Sequence, residues 1–324
     1  MKPDRTADRR RQLLRLAGTV LATGLLLYLL SRQGWQEILD SLRRISIGQL
    51  LLVFLLTMLS RLAVFGRWAA LLRSTDVKLS MAEILRITFA GLFAANFLPT
   101  SIGGDIVRLA NSLRIREQRY LYATSIVVDR LIGALGMAML LPIGIAQVMQ
   151  ADLDGLRIPA SWLGMPLPLA VAGGGGPLGA LWAKVKKTWR ETWDAIRLWA
   201  KEPQALGLAL LFTWFHMLLK FTSMWIMFRV LGEAMGFWQV AGLWSFVYFI
   251  TLFPVSINGL GLQEVSTGFA YSSIAGAAMT NALTVALLVR VLEMAASLPG
   301  ALFLPALIGP SDDLNLAESP DKSA

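Results

Sequence analysis

Long apolar blocks, rather than short alternations, organise this chain. Residues 16–30, 47–60, 131–149, 158–183, 203–219 and 234–263 carry almost no charge. Several approach the roughly 20 residues that an α-helix needs to cross a hydrocarbon core. The pattern predicts full spans at about 13–31, 47–66, 121–148, 162–182, 205–230 and 281–308. Two further segments, 82–112 and 239–277, break in the middle on residues that no lipid tail solvates, "NFLPTSIGGDIVR" from Asn96 and "FPVSINGLGLQE" from Phe253. Irregular backbone at membrane depth persists only where protein or a wet cavity satisfies its N–H and C=O groups. Both segments therefore read as re-entrant hairpins, entering and leaving on one side. The expected fold is an all-α integral membrane protein with about six transmembrane helices and two re-entrant helical hairpins.

Composition agrees. Of 324 residues, 56% are hydrophobic and 16% charged, with a mean hydropathy of +0.59; a soluble domain carries about 25% charged residues. The net charge of +9 forms no basic stripe on a soluble fold, so no nucleic-acid partner is expected. Its placement is informative. The pieces 1–15, 67–80, 106–120, 183–203 and the tail hold 20 Lys and Arg, whereas 31–46 and 149–161 hold 4. Positive charge favours cytoplasmic loops, which puts both termini in the cytoplasm of a multi-pass inner-membrane protein. The basic start followed by an apolar run resembles a signal peptide, but no small-residue cleavage site follows, so an uncleaved first span is expected. There is no cysteine, which excludes disulfides and thiolate metal sites.

The domain reading is a basic cytoplasmic segment at 1–12, one membrane domain at 13–308 and a disordered polar cytoplasmic tail at 309–324. The span at 162–182 is weak in helix propensity, with prolines and a four-glycine run. The connector 183–203 follows it. Trp182, Val185, Trp189, Trp193, Ile196 and Ala200 recur at helical spacing among lysines and arginines. That is the pattern of an amphipathic helix on the cytoplasmic leaflet, or else of a solvated connector.

The chain also echoes itself. Pro99, Ser101, Ile102 and Gly104 match Pro254, Ser256, Ile257 and Gly259 at an offset of 155. "MLSRLAVF" lies against "MLLKFTSM" at 159, opposing Arg61 to Lys220, and "SIVVDRLIGAL" against "VALLVRVLEMA" at 160, opposing Arg130 to Arg290. Repeat one at about 47–148 and repeat two at about 205–308 would then enter from opposite sides. Such inverted repeats, with broken helices meeting near the midplane, build many transporters.

Candidate chemistry lies in the charges inside apolar segments. A Lys or Arg at a helix centre costs about 2.5–3.5 kcal/mol and faces a bundle interior or a partner. Arg61, Arg130, Lys220 and Arg290 occupy equivalent repeat positions, with few acids to neutralise them. They either lock helices through ion pairs or line an electropositive cavity for a phosphate or carboxylate. Arg290 with Glu293, and Asp105 with Arg108, are three apart and suited to pair along one face; Asp105 is also placed to cap a helix. Arg86 and Arg229 sit near segment ends, where they can snorkel. The single histidine, His216, rules out a His-based metal cluster and reads as packing. No Walker loop, GxSxG or HExxH occurs. No cofactor, metal or catalytic residue is assigned.

At these residues the chain resembles the flippase-like membrane family that includes the transmembrane part of lysylphosphatidylglycerol synthases. The resemblance covers about 10–308. Its motif positions fall on Asn96, Pro99, Gly103, Gly104, Asp105 and Arg108, then Asp129 and Arg130, then Pro254, Asn258, Gly259, Gly261 and Glu264. Gln263 stands where that family commonly has an arginine. The resemblance implies an inner-membrane protein with re-entrant helices that handles anionic or polyprenyl-linked lipids. In that family aminoacyl transfer belongs to a soluble domain, and about 16 polar residues follow the last expected span here, so lipid aminoacylation is not expected. The leading expectation is translocation of an anionic phospholipid or polyprenyl-phosphate-linked lipid. The alternative is an integral-membrane enzyme, or an accessory subunit for a synthase or glycosyltransferase, with Asp105, Asp129, Glu264 or Glu293 as acid or base.

Overall fold

The computed structural model describes residues 20, 23–28, 30, 31, 35–97, 103–111, 118–151, 199, 202–252 and 259–304, and the regular structure among them is helical throughout. The order is α1 (Trp35–Arg43), α2 (Ile47–Arg73), α3 (Met81–Phe97), α4 (Gly103–Asn111), α5 (Arg119–Gln150), α6 (Pro203–Val230), α7 (Phe237–Thr251), α8 (Leu262–Phe269) and α9 (Met279–Ser297). A π-helical turn, Ala270–Ile274, follows α8, and a 3-10 turn, Leu298–Leu302, extends α9.

Four stretches, Ile47–Arg73, Tyr120–Gln150, Pro203–Val230 and Met279–Leu302, are long and apolar enough to cross a membrane. They match four of the six expected spans. The span at 162–182 and the tail lie outside the described residues, as do about half of the first span and nearly all of the connector. α2 runs seven residues past its expected end. The reason is burial: Gly66, Arg67, Trp68, Ala69, Ala70, Leu71 and Leu72 are all covered by neighbouring helices. Arg67, counted among the cytoplasmic charges, is therefore inside the bundle.

Local chemistry sets the starts of α2 and α3. Ser46 Oγ accepts from the Gln49 N–H at 3.3 Å, and Gln49 Oε1 accepts from the Ser46 N–H at 2.9 Å. Ser80 and Glu83 repeat this reciprocal arrangement at the start of α3, at 3.3 and 2.8 Å. Each box satisfies two backbone donors that a helix start would otherwise leave bare. Pro142 sits inside α5 and removes one helix donor. Ser245 on α7 donates to the carbonyl of Met137 at 2.6 Å, one residue from the carbonyl that loses its partner.

The long helices pair antiparallel. Along α2 and α6, Ser60 faces His216 and Gly66 faces the Phe212 ring. Along α5 and α7, Gly144 packs on the backbone of Gly242 and Gln147 Nε2 donates to Trp238 O at 3.3 Å. Along α3 and the end of α9, Gly300 packs on the Phe89 carbonyl and Asn96 Nδ2 donates to Ser297 Oγ at 3.0 Å. α4 folds back on α3 through glycine, because a Cβ on Gly104 would lie 2.6 Å from Gly91 O. Outward, Leu51, Leu55, Leu211 and Leu218 remain exposed, as expected of faces turned to lipid.

Two apolar cores flank the α2–α6 pair. Trp68, Leu72, Ile84, Ile87, Tyr122 and Ile126 form one. The larger gathers Met217, Phe221, Met224, Met227 and Phe228 of α6 with Val240, Leu243, Trp244 and Tyr271. Each core meets a cation, Arg108 on Trp68 in the first and Lys220 on Trp244 in the second.

Candidate functional site

α4 carries Asp105 in its first turn and Arg108 one turn later, and α5 runs antiparallel beside it. Asp129 of α5 is 1% exposed and is clamped from two sides. Arg67 Nε donates to its Oδ1 at 2.7 Å, and Arg108 Nη1 donates to its Oδ2 at 3.0 Å. The Arg108 guanidinium carbon lies 3.9 Å from the Trp68 ring centroid. That stack covers Nε and Nη2, which are buried without hydrogen-bond partners. Gly133 makes room for Arg67, since a Cβ there would lie 2.9 Å from Nη1. Beside this clamp, Arg130 Nη2 donates to Asp105 Oδ1 at 2.9 Å. Three arginines and two aspartates thus form one network carrying one net positive charge.

A second network lies across the α2–α6 crossing. Lys220 Nζ and Arg61 Nη2 both reach Glu293 Oε1, at 2.6 and 3.0 Å. Lys220 also sits 4.3 Å from the Trp244 ring centroid. Arg61 Nε is buried without a partner. Next door, Arg290 donates through Nε to Glu264 and through Nη2 to Gly259 O at 3.3 Å, within electrostatic reach of Lys220. Here too three cations meet two carboxylates. A narrow cleft, wide enough for little more than a water molecule, opens onto Lys220 and Glu293 between Thr57, Ser60, Ser223 and Met224.

The sequence-predicted residues divide between these networks. Arg61 and Lys220 do meet, and Arg290 is near them, but Arg130 belongs with Asp105 on the other side. A cavity lined by all four cations together is not formed among the described residues. The expectation that few acids could neutralise them also gives way: each of the four cations contacts a carboxylate. Arg290 and Glu293 do not pair. At helical spacing they diverge, one towards α8 and the other towards α2 and α6. Arg108 and Asp105 approach only to 4.0 Å, because Arg108 is drawn to Asp129. Asp105 lies inside the first turn of α4, where a negative charge suits the helix dipole, rather than at a cap. His216 Nδ1 is 2.7 Å from Ser60 Oγ, a packed polar contact between α2 and α6.

Among the motif residues, Gly103 and Gly104 begin α4, and Asn96 ties α3 to Ser297. Gly259 and Gly261, at φ of 67° and 75°, lead into α8, a conformation that glycine adopts without strain. Pro99, Pro254 and Asn258 lie outside the described residues. Sequence reasoning missed Arg67, which reads as the first residue of a loop. The apolar "WAALL" after it was the available signal. It also did not set Asp105 against Glu264. The turn residues align at an offset of 155, whereas these two acids are 159 apart, the offset of Arg61 and Lys220.

The two acid–arginine contacts lie equally far along the long helices that carry the arginines. Asp105 meets Arg130 eleven residues after Arg119, and Glu264 meets Arg290 eleven residues after Met279. Eleven residues rise about 16 Å, about half of a roughly 30 Å hydrocarbon core.

Long apolar crossings with charged groups paired between them define a polytopic helical membrane protein. The profile of the lysylphosphatidylglycerol synthase TM region matches residues 15–300, and the chain belongs to that family. It is thus an integral membrane protein related to lipid biosynthesis or transport. No curated protein matches the chain.

Proposed function

We propose that this protein is a flippase-like translocase that binds an anionic lipid, phospholipid or polyprenyl-phosphate-linked, and moves it between leaflets. α2–α5 and α6–α9 are read as an inverted repeat, with α3–α4 and α7–α8 as re-entrant hairpins opening to opposite faces and both termini cytoplasmic. The observation that carries this reading is the matched pair of contacts, Asp105–Arg130 and Glu264–Arg290. In each half an acid in the first turn of a short helix meets an arginine about 16 Å along the next long helix. A short helix that starts there begins near the midplane, where transporters of this architecture hold their substrates. The crossed packing of α5 on α7 and of α9 on α3 supports the same relation between halves.

In this reading a phosphate-bearing headgroup is held by Arg61 and Lys220 while its tails stay in lipid. Arg130 and Arg290 guard the two hairpin turns. Buried cations with one surplus charge in each network favour an anion over a neutral or cationic headgroup. Reconstituted protein with headgroup-labelled lipid in one leaflet provides the test. Wild type is expected to exchange an anionic lipid between leaflets. Lys220→Met and the Arg130→Ala/Arg290→Ala double variant are expected to lose at least about tenfold in rate. Equal exchange by wild type and both variants, across phospholipid and polyprenyl-phosphate substrates, would overturn the assignment.

A further inference from the structure

Glu293 is the only carboxylate, among the described residues, shared by cations from two different long helices at the α2–α6 crossing. Lys220 and Arg61 converge on a single oxygen, Oε1. The cleft beside them has no room for a phosphate next to that carboxylate. A headgroup that takes these two donors must therefore take them from Glu293. It would also find Arg61 Nε, a buried donor that Glu293 leaves without a partner.

Displacement changes what the carboxylate faces. Apart from Lys220, the cleft walls around Glu293 are Val53, Met224, Met227, Val289 and Leu292, with the hydroxyls of Thr57, Ser60 and Ser223. The other charged or titratable groups nearby are already engaged. Arg290 is held by Glu264 and Gly259 O, and His216 by Ser60. From α3, Asn96 reaches only the backbone carbonyl of Glu293, at 3.4 Å. A carboxylate released from its cations into apolar walls, beside an incoming anion, is destabilised both by desolvation and by like charge.

Resting on the translocase reading, we propose that Glu293 is a built-in stand-in for the substrate anion, and that binding of the anionic headgroup is coupled to proton uptake at Glu293. The step balances. One proton from water bonds to the freed Glu293 carboxylate as one anionic headgroup takes its place on Lys220 and Arg61, leaving the net charge of the site unchanged. Return of the empty site releases that proton as Glu293 re-forms its bridge. The protein then exchanges protons together with anions, and a pH difference across the membrane biases the direction of lipid movement.

The test uses the full chain in detergent and a short-chain phosphatidylglycerol, a phosphodiester that does not itself titrate between about pH 5 and 8. Calorimetry in buffers of different ionisation enthalpy reads protons taken up per lipid bound. Wild type is expected to take up about one proton, with affinity falling about tenfold per pH unit as pH rises. Glu293→Gln is expected to bind at least as tightly as wild type at low pH, without proton uptake or pH dependence. Lys220→Met is expected to bind at least about tenfold more weakly. Wild-type binding that depends on Lys220 yet takes up no proton overturns the coupling and leaves the translocase reading standing. Binding indifferent to Lys220 overturns both. Wild-type uptake needs no variant, so a misfolded substitution cannot hide the answer.

Discussion

The two charged networks have the same composition by sign, three cations and two carboxylates, and they are built for different ends. Around Asp129 each carboxylate oxygen has its own donor. Two arginines use both carboxylate oxygens, one is stacked on Trp68, and Gly133 is hollowed to admit the other. Around Glu293 one oxygen serves two donors, one of those donors is a lysine, and a cleft runs alongside. The position that Gly133 holds in α5 is held by Glu293 itself in α9, at the same offset of 160 that relates Arg130 to Arg290. A planar guanidinium holds geometry, whereas an ammonium is a point charge on a flexible stem that can change partners. The first network is a clasp between α2, α4 and α5. The second is a seat that can be vacated.

That contrast can be broken at several points. Asp129→Asn should have the largest effect, because it leaves two buried guanidinium groups that cannot neutralise themselves. A loss of about 3–5 kcal/mol should appear as a collapse in detergent-solubilised yield and thermal stability. Glu293→Gln removes an acid with as many partners, yet it should cost clearly less in the same thermal assay, because the cleft beside Lys220 lets water reach the ammonium it leaves. Equal losses for the two variants would erase the distinction.

Packing between the halves comes next. Gly144→Leu and Gly300→Leu each drive a side chain into the backbone of the facing helix, Gly242 in one case and Phe89 in the other. Each should lower stability by about 1–3 kcal/mol, by similar amounts if the two crossings are equivalent. The smallest contrast is between the two motif arginines. Arg130 is 62% exposed and Arg290 14%. Arg130→Lys should cost less than Arg290→Lys, because the more open Arg130 side chain can shift and the enclosed Arg290 cannot. The reverse order by thermal shift would erase this contrast.

The crossings are legible in the sequence because hydrophobic run length reports directly on membrane thickness. The fate of the charges is less so. Arg67 and Arg108 read as loop residues because each ends an apolar run when the chain is taken linearly. Only the packing of α2 and α4 against α5 brings both to Asp129. Arg61, Arg130, Lys220 and Arg290 stand out from the repeat alone, and each does lie at a helix contact. Their partners are not legible, because three-residue spacing names neighbours on one helix and says nothing of acids contributed by another. Glu264 illustrates the limit. It stands out as a motif residue, but its bond to Arg290 depends on where α8 starts, which the turn alignment misplaces by four residues.

The π-helical turn after α8 bears on how such a bond survives divergence. From Asp105 to Arg130 the chain counts 25 residues, and from Glu264 to Arg290 it counts 26. A π turn closes on one more residue than an α turn, so Ala270–Ile274 can absorb the surplus as a local swelling. Tyr271 within it is fully buried and donates its hydroxyl to Val240 O at 2.7 Å, which pins the swelling against α7. Under the repeat reading the one-residue surplus becomes a bump after α8, and the bond between Glu264 and Arg290 keeps its phase.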